Sequence, residues 1–286
     1  MRSNLFKARD RVLDVSTPQI MGILNVTPDS FSDGGSYTSL GAAVEQAQRM
    51  YDEGAAIIDI GGESTRPGAA PVTLEMELER VVPVVEAVSK HCPEALISVD
   101  TSSPEVMTES VKVGAHIWND IRALTRPHAV ETAAALGVGV CLMHMQGTPQ
   151  NMQDNPHYDD QQGGVVGTVK SFLHARAQEC LQAGIDAQSI MLDPGFGFGK
   201  TVEENYILLN HIAELTQDTD FFLMAALSRK SMIGKITGQE IPAERVCGSV
   251  VAGFYALEKG AHFLRVHDVA ATVEATKIFQ ALRLYR

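Results

Sequence analysis

The chain has 286 residues, 45% of them apolar and 20% charged, so it is able to bury a large core and does not have the composition of a disordered polymer. Its 23 Lys and Arg stand against 35 Asp and Glu, a formal net charge of −12, and no run of basic residues forms a stripe, which disfavours nucleic-acid binding. Cys92, Cys141, Cys180 and Cys247 are widely spaced without a CxxC pair, so neither a zinc site nor a disulfide framework is signalled. The charged N-terminal stretch MRSNLFKARDRVLDVS lacks the apolar core of a signal peptide, and no apolar run approaches the ~20 residues of a membrane span. A cytoplasmic protein is expected, with no membrane or nucleic-acid partner.

Residues 1–18 read as an extension packed on the domain that follows. Met21–Asn25 is a run that alternates too little for a half-solvated strand, and it breaks at Thr27–Gly35 into a polar loop rich in turn-formers. Loops of this kind on a buried strand are usually functional, and this one is expected to act as a mobile flap. Leu40–Glu53 carries Ala43, Ala47 and Met50 at helical spacing and stops at Gly54. Ile57–Ile60 is a second buried strand, ending in GGESTRPGAAP. Helix Thr73–Ser89 and strand Leu96–Val99 follow, the strand ending in Asp100. Ser103, Pro104 and Glu105 then form an N-cap, first-turn Pro and acidic-turn signature.

His116–Trp118 is a strand ending in Asn119 and Asp120. Pro127–Leu136 is helical, and strand Val138–Met143 leads into Gln146–Gly164, the segment that looks least ordered. After the helix 165–183 come strand Ile190–Leu192 with Asp193, helix Glu203–Leu215, and strand Phe221–Leu227 ending in Ser228, Arg229 and Lys230. Helix 243–259, strand Phe263–Val266 and helix 268–284 complete the chain.

Eight strands alternating with helices predict a parallel sheet, and within 286 residues a single-domain (β/α)8 TIM barrel with long loops after strands 1, 2 and 5. A doubly wound sheet is the alternative. Polar groups at the ends of nearly all the strands favour the barrel, because an open sheet gathers its site at one switch point. Asp100, Asn119 and Asp193 are acceptors suited to a flat heterocycle with amino and ring N–H groups, although each could instead cap a helix. Thr65, Arg66, Arg265 and His267 form an anion-directed group, with a helix beginning at Asp268. The run GFGFGKT, Gly195–Thr201, has one residue too few between its glycines for a phosphate-cradling P-loop.

Taken together, GILNVTPDSFSDGG at 22–35, GGESTRPGA at 61–69, SVDT at 98–101, GAHIWND at 114–120, LDPGFGFGK at 192–200, SRKSMIG at 228–234 and RVHDV at 265–269 resemble the dihydropteroate synthase family over nearly the whole chain. The resemblance implies condensation of 6-hydroxymethyl-7,8-dihydropterin pyrophosphate with 4-aminobenzoate, the step at which sulfonamides compete. It implies a pterin site of Asp100, Asn119, Met143, Asp193, Phe198, Lys230 and Arg265, and a pyrophosphate site of Asn25, Thr65, Arg66, Arg265 and His267. Asn25 would also meet a Mg²⁺. Phe31, Pro67, Lys230 and Ser231 would contact aminobenzoate. Asp193, Asp100, Lys230, Arg265, His267 and Asp33 are the expected catalytic groups. The rival readings are a pterin-binding methyltransferase of the same fold and a pterin-binding paralogue without catalysis. Helix 243–259 is apolar nearly all round, which points to a homodimer interface or to cover by residues 1–18.

Overall fold

Apolar runs bounded by polar loops recur eight times along the described residues, which are 4–26, 36–63 and 72–285 of this computed structural model, without the side chains of 36–39. Each run becomes a parallel strand. A hairpin of β1 (Leu5–Ala8) and β2 (Arg11–Asp14) comes first, so the parallel strands are β3 (Gln19–Asn25), β4 (Ile57–Gly61), β5 (Leu96–Asp100), β6 (Ile117–Asp120), β7 (Gly139–Met143), β8 (Ile190–Asp193), β9 (Phe222–Ala225) and β10 (Phe263–Val266). They pair in the order β10-β3-β4-β5-β6-β7-β8-β9, and β10 bonds to β9 to close the barrel. Strands β4, β7 and β8 are buried at every position, as strands covered on both faces must be.

Helices α1 (Ser36–Asp52), α2 (Leu74–His91), α3 (Pro104–Lys112), α4 (Ala129–Leu136), α5 (Gly164–Gln182), α6 (Val202–Asn210), α7 (Ser231–Thr237), α8 (Val246–Glu258) and α9 (Val269–Leu284) form the outer layer. Their starts follow local chemistry. Ser103 Oγ accepts the Val106 N–H at 3.4 Å ahead of Pro104, and Thr201 and Glu204 close a reciprocal capping box at 3.2 and 2.6 Å.

Two features depart from the sequence reading. Helix α7 interrupts what was expected to be plain connection between the seventh barrel strand and its helix; its first residue, Ser231, follows Lys230 at the mouth of the barrel. The segment after β7, poor in apolar residues, is nevertheless tied down. Gln146 and His157 exchange two hydrogen bonds at 2.8 and 3.0 Å, and Met152 and Tyr158 are buried. Its polar side chains find partners in one another and in a distant glycine loop, which composition cannot reveal.

Residues 4–18 do not cover α8. Phe6, fully buried, instead sits among Met21, Ile57, Ile117, Met191, Phe222 and Phe263 in a cluster at the barrel's N-terminal end. Its ring lies edge-on to Phe222 and Phe263, with centroids 5.6 and 5.4 Å away, and those two rings are 6.1 Å apart in the same geometry. The hairpin is thus a plug for the end of the barrel opposite the strand carboxyl termini. Phe6→Ala should lower unfolding stability in urea by about 3–5 kcal/mol, since the surrounding strands cannot collapse into the gap. A loss below ~1 kcal/mol would show that the plug is peripheral.

Candidate active site

Parallel strands bring their polar carboxyl ends to one end of the barrel. Asn25 pairs with Gly61, Gly61 with Asp100 and Asp100 with Asn119, while Met143 and Asp193 pair two residues beyond the Cys141 that faces Asn119, so these five side chains all belong to the carboxyl rim of the barrel. Arg265 enters this rim from β10, Lys230 from the start of α7, and His267 from the turn after β10. Asn119, Met143 and Asp193 are buried, while Asn25, Phe198, Lys230, Arg265 and His267 are half-buried and Ser231 is exposed.

The centre of the rim is an ion cluster. Arg265 donates from Nε to Asp59 Oδ2 at 2.7 Å and from Nη2 to Asp100 Oδ2 at 2.7 Å. Asn119 Nδ2 donates to the same Asp59 oxygen at 3.2 Å. Burial works against the charge on Arg265, but the two carboxylates outweigh it and hold its pKa above the ordinary value. Burial pushes Asp100 up to about 7 against the pull of Arg265, with Asp59 adding to the rise. The acceptor that the sequence left in need of a donor therefore receives one from within the chain. Asp59 is a residue sequence reasoning missed: its side chain is fully buried, and its Oδ1 has no hydrogen-bond partner among the described residues. The available signal was a carboxylate in the middle of IIDI, where a strand buried on both faces should be apolar.

Beside this cluster lies a second group. Asp193 Oδ1 accepts the Gly195 N–H at 2.8 Å, and burial raises the Asp193 pKa although that bond, Lys230 and Arg265 oppose it. Lys230 Nζ stands 4.2 Å over the Phe198 ring, and burial lowers its pKa to about 8 against the attraction of Asp193. Lys200, also missed in the sequence, is buried behind them with its pKa lowered by burial to about 7.

His267 differs from the cationic role first expected of it. Its Nδ1 is 3.1 Å from Ser228 Oγ, and burial, then Arg265 and Arg229, bring its pKa down to about 3. Burial and the neighbouring guanidiniums outweigh Asp268, so the ring is neutral, a hydrogen-bonding group and not a charge. The ion pair at the start of α9 comes from Arg229, whose Nε and Nη2 reach Asp268 at 2.9 and 2.5 Å.

Phe31, Asp33, Thr65, Arg66 and Pro67, and the flap Thr27–Gly35 as a whole, lie outside the described residues. Among the described residues no cluster of three or more His, Cys, Asp or Glu is arranged to hold a metal. Asp59 and Asp100 each give one oxygen to Arg265, and the donor expected for the metal, Asn25, offers the amide oxygen of its side chain. A single neutral oxygen fits Mg²⁺ only as one ligand of a hydrated ion that arrives with phosphate oxygens.

The family of pterin binding enzymes matches residues 21–267. Dihydropteroate synthase of Escherichia coli (strain K12) is 53% identical over 274 residues, covering 96% of this chain and 95% of that protein. Xanthomonas albilineans dihydropteroate synthase with 4-aminobenzoic acid superposes with a TM-score of 0.91 at 48% identity, over 98% of both chains. The same enzyme in complex with 7,8-dihydropteroate gives a TM-score of 0.87 at 45% identity, again over 98% of both chains. The chain belongs to the dihydropteroate synthase family of pterin binding enzymes.

Proposed function

We propose that this chain condenses 6-hydroxymethyl-7,8-dihydropterin pyrophosphate with 4-aminobenzoate, giving 7,8-dihydropteroate and pyrophosphate. The observation that carries the reading is the gathering of Asp100, Asn119 and Asp193 at the carboxyl ends of their strands, acceptors for a pterin's amino and ring N–H groups, with Arg265, Lys230 and His267 at the same opening. The similar Xanthomonas albilineans enzyme, whose structures hold 4-aminobenzoic acid and 7,8-dihydropteroate, supports the choice of substrates.

In the reaction the C–O bond between the pterin's exocyclic methylene and pyrophosphate breaks, and a C–N bond to the aniline nitrogen forms as that nitrogen releases a proton. The amine is already a neutral nucleophile, so no strong base is required, and the main task is to let pyrophosphate leave. A dissociative displacement suits the site. Asp193 and Asp100 bear on the pterin ring as its methylene becomes electron-poor, and Asp33 on the flap is a third carboxylate for the same carbon. Met143 and Phe198 wall the ring, and Arg265 lies over its face. Asn25, Thr65, Arg66, Arg265 and His267 take the pyrophosphate, His267 as a neutral donor that gains a proton more readily once the anion is present. Phe31, Pro67, Lys230 and Ser231 receive aminobenzoate, the place where sulfonamides would compete. Mg²⁺ bound with the pyrophosphate would offset part of its negative charge, with Asn25 as the chain's own ligand.

The same proposal includes a homodimer in the cytoplasm. Val251, Tyr255, Ile278 and Leu282 are exposed on the paired helices α8 and α9, and the N-terminal hairpin that could have covered them is at the end of the barrel. No helix among the described residues is long and apolar enough to cross a membrane.

Pyrophosphate release should require both substrates; its absence when both are present would overturn the synthase reading in favour of a methyltransferase or a non-catalytic binder. Asp193→Asn should lower kcat about 100-fold, the scale of losing one preorganised electrostatic group, and change pyrophosphate affinity less than about threefold. Equal losses in both would remove Asp193 from the chemical step. Sedimentation should give a species of twice 30.9 kDa, reduced to 30.9 kDa by Val251→Arg. A wild-type chain of 30.9 kDa would refute the dimer.

A further inference from the structure

The run GFGFGKT has the composition of a loop that wraps an anion, and in the structure it wraps a cation. Lys200, 3% exposed, folds back under the residues that precede it. Its Nζ donates to Gly195 O at 2.9 Å and to Phe198 O at 3.0 Å, and lies 3.1 Å from His144 Nδ1. Three acceptors match the three N–H groups of an ammonium, whereas a neutral amine would leave one of them unpaired. His144 then offers a lone pair at Nδ1 and carries its proton on Nε2, a tautomer inferred from these partners, and burial together with Lys200 keeps the ring unprotonated.

The rest of the loop is held from the long connection after β7. Tyr158 Oη donates to Gly199 O at 2.7 Å and Gln153 Nε2 to Gly197 O at 2.6 Å. Gly195 and Gly199 have φ of +67° and +63°, and a Cβ at either would fall 1.9 Å from His144 O or 2.5 Å from Gln146 O, so no side chain fits between loop and support. Two groups of the pterin slot depend on this loop: the Gly195 N–H that orients Asp193, and the Phe198 ring beneath Lys230.

We propose that Lys200 is a positioning residue of the pterin slot, a buried cation that draws the Gly195 and Phe198 carbonyls inward and so sets, from behind, the orientation of Asp193 and the wall formed by Phe198. It acts through those two residues; of the aminobenzoate contacts it meets Lys230 through the Phe198 ring, so its effect falls on the pterin first and on aminobenzoate less. The proposal rests on the reading of the rim as a pterin site.

Lys200→Met keeps an unbranched side chain one atom shorter and removes its donors. The variant should raise KM for the pterin pyrophosphate about tenfold, the scale of losing hydrogen bonds from a charged donor, while KM for aminobenzoate stays within twofold. Calorimetric titration of 6-hydroxymethylpterin into the free enzyme should weaken by the same factor. Tyr158→Phe removes only the Gly199 contact and should raise the pterin KM about threefold, again without moving the aminobenzoate KM. Equal rises in both KM values would mean general loosening of the fold and overturn the proposal, as would an unchanged pterin affinity in folded Lys200→Met. Should Lys200→Met fail to fold, an unchanged pterin KM in Tyr158→Phe overturns it. Failure of the wild-type chain to bind 6-hydroxymethylpterin would overturn the pterin reading and this proposal with it; wild-type binding with equal binding by the variants overturns the proposal alone.

Discussion

Arg265 between Asp59 and Asp100 is the interaction on which the mouth of the barrel depends. A guanidinium on the last strand, two carboxylates on the second and third barrel strands, and the amide of Asn119 on the fourth meet in a space where none of them could be charged alone. The pairing presupposes closure, because Arg265 reaches Asp59 across β3, which lies between β10 and β4. An open sheet would leave β10 at an edge and both carboxylates without their cation. A substrate that offers N–H donors to Asp100 therefore meets a carboxylate already oriented and partly neutralised, with little left to reorganise.

Local pairing, and not overall charge, sets the electrostatics of the site. The chain carries a formal charge of −12, yet Lys200, Lys230 and Arg265 are gathered around Asp59, Asp100 and Asp193. Each ion is held near others of opposite sign in a poorly solvated space, where attraction is stronger than at the surface. An anionic substrate approaching an acidic protein is thus met by cations whose fields are short in range. Orientation at the rim benefits more from this arrangement than long-range steering does.

Much of this was legible in the sequence. The eight strands were marked by continuous apolar runs, and the rim residues Asp100, Asn119 and Asp193 by polar side chains at the ends of those runs. Barrel closure followed from the distribution of such ends around the chain. The unread features share a physical cause: partners distant in sequence. Asp59 is explained only by Arg265, Lys200 only by the carbonyls of a loop that turns back over it, and the polar stretch after β7 only by the glycines it holds. Helix α7 escaped because SMIGKIT is a single short element beside a strand end, with no room for a periodicity to declare itself. The N-terminal hairpin escaped for a different reason, since β1 and β2 place few apolar residues in alternation and only Phe6 and Ala8 of them are fully buried.

The contact of Phe6 with Phe263 also orders events in time. Phe6 precedes both Phe263 and Phe222, the ring that touches each of them, by more than 200 residues of the chain. The plug finds its full aromatic seat only when β10 has docked, and until then the sheet keeps an open edge. Contacts so far apart in sequence belong to folds that form slowly once the chain is complete. The aromatic cluster at the base therefore joins distant parts of the chain, and completing it closes off the strand edges that the open sheet would expose.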